Sequence, residues 1–70
     1  MSVGDVVIVG ETWRDRDPRM GGRLVTVVAA DAVFVHLQSH PRRYRNRPVA
    51  GVRSRVDRRA FLRRYERVPG

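Results

Sequence analysis

Arg23-Leu24-Val25-Thr26-Val27-Val28-Ala29-Ala30-Asp31-Ala32-Val33-Phe34-Val35-His36-Leu37-Gln38 is the stretch whose reading decides the fold. Its first half is rich in β-branched side chains, which suit a pleated surface better than a helix. Its second half alternates: Val33, Val35 and Leu37 fall on one side of an extended chain, and Phe34, His36 and Gln38 on the other. Asp31-Ala32 is short enough to be only a tight corner. The pattern therefore predicts strands over residues 23–30 and 33–38, paired in a sheet that buries one face.

The same reading extends in both directions. Residues 3–9 are rich in valine and isoleucine and predict a first strand. Residues 10–22 read as a long polar loop. Within it Trp13 is expected to fold back onto the sheet, and Asp17-Pro18 to start a turn. Arg19 is expected to tie the loop down, and Gly21-Gly22 to close it with positive φ. Residues 39–48 read as a basic loop bounded by Pro41 and Pro48. Residues 49–56 read as a fourth strand, with Val52, Ser54 and Val56 inward and Arg53 and Arg55 facing solvent. The C-terminal part allows two readings. Asp57 could cap a helix over residues 57–68, or residues 57–61 form a single 3₁₀ turn before a last strand over 63–68; the second is preferred. The expected core is Val7, Ile8, Val25, Val27, Val35, Leu37, Val52, Val56, Phe61 and Tyr65.

Five short strands, a long first loop and a 3₁₀ turn before the last strand describe an all-β protein: one small five-stranded SH3-like barrel spanning residues 1–70. Closing the sheet would also hide edge strands that so small a fold otherwise exposes. At 70 residues the chain buries only about 60% of its unfolded surface, so the core is small and a deep catalytic pocket is not expected.

Gly4-Asp5, Trp13, Asp17-Pro18-Arg19 and Gly22-Arg23, followed by Arg53-Ser54-Arg55-Val56 and Arg59-Ala60-Phe61, form a recognisable order. In these residues the chain resembles a small uncharacterised family of single SH3-like barrels from high-GC bacteria and their phages. The resemblance covers most of the chain, residues 39–49 excepted. It implies the fold, and Trp13, Asp17, Pro18, Arg19 and Gly22, read from their own chemistry as structural loop residues, are among the positions that carry it. It implies no activity.

Charge narrows the function. The chain has fifteen arginines, no lysine and seven acids, for a net charge of +8. GC-rich coding is an ordinary source of arginine in place of lysine, but it does not explain the excess over acids. Such a field suits a polyanionic partner. Eleven arginines lie from residue 42 onwards, against Asp57 and Glu66 alone. Arg42, Arg43, Arg45, Arg47, Arg53 and Arg55 are the candidate contacts, with Tyr44 as a ring able to stack on a base. Glu11, Asp15 and Asp17 have arginine neighbours and read as loop-ordering ion pairs rather than as an acid/base or metal cluster. His36 and His40 lack the spacing of a zinc site, and no serine sits in a nucleophile elbow. No enzyme activity, metal, cofactor or small-molecule substrate is expected. The absence of cysteine fits a reducing compartment, and no leader or membrane span is legible, so a cytoplasmic protein is expected. Two function classes remain. One is a module binding DNA or RNA through arginine–phosphate contacts with little sequence preference. The other is an interaction or regulatory module, of the kind a phage encodes, docking on an acidic protein surface.

Overall fold

The computed structural model describes residues 6–69 and is mostly β. The central hairpin pairs β2 (Leu24–Ala30) with β3 (Phe34–Ser39), Val27 standing opposite Leu37, with a register irregularity between Val27 and Ala29. Val25, Val27, Val35 and Leu37 are all buried, as their alternation predicts. Asp31 shapes the corner: its Oδ1 accepts from the backbone N–H of Val33 at 2.8 Å and of Phe34 at 2.7 Å. Val33 therefore belongs to the corner and is exposed rather than part of the inward row.

The first strand is not residues 3–9. Residues 3–5 lie outside the described part, and 6–9 form no strand. Strand β1 is instead Thr12–Asp15, antiparallel to β2 with Trp13 opposite Val25. A strand with one buried face is selected by what it puts there. Trp13 inserts a large ring, whereas Val6, Ile8 and Val9 are exposed. The segment before β1 turns at Gly10, whose φ is +96°, and is held by Gly10 N–H to the Val27 carbonyl at 2.8 Å.

At the C-terminus the chain combines the two readings. Residues 57–61 do not form a 3₁₀ turn; α1 (Arg58–Arg64) is a two-turn helix and β7 (Tyr65–Arg67) a short strand. The Asp57 carboxylate caps α1, accepting from Arg59 N–H at 2.9 Å and Ala60 N–H at 3.2 Å. Phe61 and Tyr65, four residues apart, both point inward. The helix stops at Tyr65 because the chain must extend there to pair with β1, Tyr65 opposite Asp15 and Arg67 opposite Trp13.

The resulting five-stranded antiparallel sheet has the order β6-β3-β2-β1-β7, where β6 is Arg53–Asp57. Closure by pairing β6 with β7 is not found among the described residues. Helix α1 instead connects these two edges and fills the space between them with Phe61. That ring meets Trp13 edge-on at 4.7 Å and stacks on Tyr65 at 5.1 Å. Val7 and Val56 pack at the core margin. Ile8, 54% exposed, and Val52, 59% exposed, are not core residues, because neither lies in a strand with an inward face.

The stretch read as a basic loop is a second hairpin. Strands β4 (Arg42–Tyr44) and β5 (Arg47–Val49) form a separate two-stranded ribbon. The expected strand 49–56 is thus divided between β5 and β6. Arg45 and Asn46 link β4 to β5 with φ of +52° and +64°, the two-residue turn whose twist matches a hairpin. The register of β4 on β5 continues that of β3 on β6, so residues 34–57 form one long hairpin broken only around Pro41 and Gly51. Across the break Ser39 N–H donates to the Val52 carbonyl at 2.9 Å, and Val52 N–H donates to Ser39 Oγ at 2.9 Å. A methyl group at Gly51 would lie 2.1 Å from the Ser39 carbonyl oxygen, so only glycine fits this approach.

Phe61→Ala should cost about 3–5 kcal/mol, the range for removing a buried aromatic ring. Urea denaturation followed by circular dichroism is expected to show loss of most of the fold in a chain this small. A change below about 1 kcal/mol would contradict the burial of Phe61.

Candidate nucleic-acid interface

Arg42, Arg43, Arg45 and Arg47 lie on the ribbon, and Arg53 and Arg55 on β6, so the long hairpin gathers all six candidate arginines. No acidic residue occurs between Asp31 and Asp57. Residues standing opposite each other in a ladder share a face, and the faces alternate along it. By that phase Arg42, Arg47, Arg53 and Arg55 occupy one side of the hairpin, and Arg43 the other. Tyr44 stands opposite Arg47 in the register. At about 3.4 Å per residue the eleven residues 34–44 span roughly 35 Å.

The base of the ribbon is anchored. Arg42 Nη1 donates to the Met20 carbonyl, and His40 N–H donates to the Leu24 carbonyl at 3.0 Å. An open cavity of about 360 Å³ lies there, lined by Gly21, Gly22, His40, Pro41, Arg42 and Arg43 among others. Arg43 Nη1 donates to the Asn46 carbonyl at 3.3 Å across the turn. On the sheet, the Arg55 guanidinium covers the Phe34 ring at 4.3 Å. Its cross-strand neighbour His36 approaches Asp31 at 4.0 Å. His40 Nε2 is 2.7 Å from Thr26 Oγ1, and Ser39 Oγ is occupied by the hairpin break. Among the described residues no group of three His, Cys, Asp or Glu could hold a metal ion. No helix among them is long and apolar enough to cross a membrane.

The acids of the first loop are paired with arginines, as expected, but largely with distant ones. Asp15 is buried, and its Oδ2 receives Arg23 Nη2 at 3.1 Å and Arg64 Nη2 at 3.1 Å. Arg23 Nη2 also donates to the Tyr65 hydroxyl at 2.8 Å. The charge-assisted bond that Arg64 donates to Asp15 raises the pKa of Arg64. Glu11 pairs with Arg67 at 2.8 Å, and the Arg67 guanidinium lies over the Trp13 ring at 4.8 Å. Asp15 is the residue that sequence reasoning misplaced. The signal was present, since Thr12-Trp13-Arg14-Asp15 alternates with period two and puts Trp13 and Asp15 on one face.

Trp13 packs against the core as expected, though from a strand. Asp17 and Pro18 start a 3₁₀ turn (Pro18–Met20), with Arg19 N–H donating to Asp17 Oδ1 at 3.0 Å. Gly21 and Gly22 follow at φ of +62° and +74°. Arg19 does not tie the loop to the sheet. Its guanidinium returns to Asp17 at 2.8 Å and its side chain is 86% exposed. The bond from Arg42 to Met20 supplies the tie instead.

No protein-family model, curated protein or solved structure matches the chain.

The side-chain hydrogen bond from Arg19, followed by its backbone N–H, holds Asp17 at about 2, below its ordinary 3.8. A carboxylate with a depressed pKa stabilises the folded state above its unfolded value. That contribution should be full above about pH 4 and lost as pH falls through about 2. Asp17→Asn should flatten this part of an acid-denaturation profile. An unchanged profile would remove Asp17 from the acid response. Asp15→Asn should cost roughly 3 kcal/mol in urea denaturation, the low end for breaking a buried pair, because Arg64 is half exposed.

Proposed function

We propose that this protein is a non-catalytic module that binds nucleic acid through arginine–phosphate contacts with little sequence preference. We read its fold as SH3-like: five short strands, with a helical turn returning the last beside the first. One observation carries the functional reading. The hairpin over residues 34–57 bears six arginines and a single carboxylate, Asp57 at its far end, which is engaged as the cap of α1. Elsewhere Asp15, Asp17 and Glu11 are engaged by Arg23, Arg64, Arg19 and Arg67. Positive charge is therefore concentrated along one extended element instead of being balanced over the surface. A phosphate backbone is the polyanion such an element suits, because guanidinium forks grip phosphate oxygens bidentately.

The test is affinity against salt, read by fluorescence anisotropy on a labelled duplex. Each neutralised phosphate contributes about 0.9 to the slope of log K against log salt. Replacing Arg43 and Arg47 by Ser, and Arg45 by Asn to keep its positive-φ turn, should flatten the slope by about two to three units. The circular dichroism spectrum should not change. Absence of binding to duplex or single strands at low salt would overturn the reading and leave the acidic protein partner as the alternative.

A further inference from the structure

The ribbon β4–β5 differs from an ordinary basic loop in having a defined width. Two strands lie about 4.8 Å apart, and side chains on both faces bring the ribbon to the size of the major groove of B-DNA, roughly 12 Å wide. The minor groove, roughly 6 Å wide, takes two strands only where the duplex is bent or the groove widened, at a cost in deformation energy, whereas the major groove of undistorted B-DNA admits them. The tip is compact: Arg45 and Asn46 close the turn, with Arg47 directly after it. These three side chains supply the donors, and the Asn46 amide the acceptor, that base edges in the major groove can engage. The ribbon is also protected against strand addition. Pairs alternate from the turn, so Pro48, opposite Arg43, faces outward and removes a backbone donor from that edge. A single-strand binder would need a platform of several rings, and Tyr44 is the one aromatic among residues 41–52.

Resting on the nucleic-acid reading above, we propose that the ribbon β4–β5 inserts its Arg45-Asn46 tip into the major groove of duplex DNA. Arg53 and Arg55, on the strand leading from the ribbon, hold the flanking phosphates. The 35 Å reach of the hairpin lets one end sit in the groove while the sheet end lies on the backbone.

DNA and RNA duplexes of one sequence and length separate groove entry from charge. Both carry the same phosphates, but the major groove of A-form RNA is too deep and narrow for side chains to read. At matched ionic strength the native chain should bind the DNA duplex roughly tenfold more tightly. The Arg45→Asn, Arg47→Ser variant should bind both duplexes within about twofold of each other, since the groove contact is gone. The Arg53→Ser, Arg55→Ser variant should weaken both duplexes alike and keep the preference for DNA. Thermal denaturation establishes that both variants are folded. Equal affinity of the native chain for both duplexes, or a DNA preference that survives in the tip variant, overturns groove insertion while leaving phosphate binding intact. No binding to either overturns both.

Discussion

The buried carboxylate of Asp15 is the contact on which the rest of the molecule depends. Arg64 reaches it from the end of α1 and Arg23 from the start of β2. Asp15 itself is the last residue of β1. One carboxylate therefore fixes three elements relative to one another, and Arg23 extends the network to Tyr65 in β7. Burying an ion pair seldom adds much net stability over an apolar contact of the same size. Its effect here is on geometry. A one-residue slip of β1 would expose Trp13 and separate Asp15 from both guanidinium groups, so the packing and the charge network enforce the same register.

The arginines fall into two populations with different work. Arg23, Arg64 and Arg67 are structural, and their roles need the guanidinium shape. Arg64 places Nε and Nη2 on the two oxygens of Asp15, and Arg67 pairs with Glu11 while its plane covers Trp13. A lysine ammonium has neither the fork nor the plane. The hairpin arginines stand on an element whose one carboxylate, Asp57, lies at its end and caps α1. A composition that looks uniform in sequence is thus partitioned by the fold into charge that is neutralised internally and charge that faces outward.

The central hairpin was legible because Val25 and Val27, and then Val35 and Leu37, alternate with outward residues at the period of a strand. The first strand was not, for a physical reason. Its inward face pairs an indole with a carboxylate, and a carboxylate in a core is intelligible only once distant arginines are known to meet it. The exposed valines and isoleucine before it carry strong β propensity without a face to bury, and propensity alone pointed to them. The C-terminal helix is signalled by Asp57, a good cap. Its length depended on Tyr65 pairing with β1, a contact 50 residues away in sequence. The six candidate arginines could be named from composition. That they lie on one hairpin could not, because Arg45-Asn46 is not a usual sequence for a turn with two positive φ angles, and because prolines at 41 and 48 read as loop boundaries.

The unbroken register of that hairpin restricts how its length can change. Val35 and Leu37, the core residues of β3, set the phase of the ladder, and every residue beyond the break inherits it. Adding one residue to each strand would lengthen the arm by about 3.4 Å and also turn its tip over, presenting the opposite set of side chains. Adding two to each strand would restore the facing at about 6.8 Å greater reach. Related arms of this design are therefore expected to differ in length by pairs of rungs rather than single ones, as a spacer would in a helical repeat.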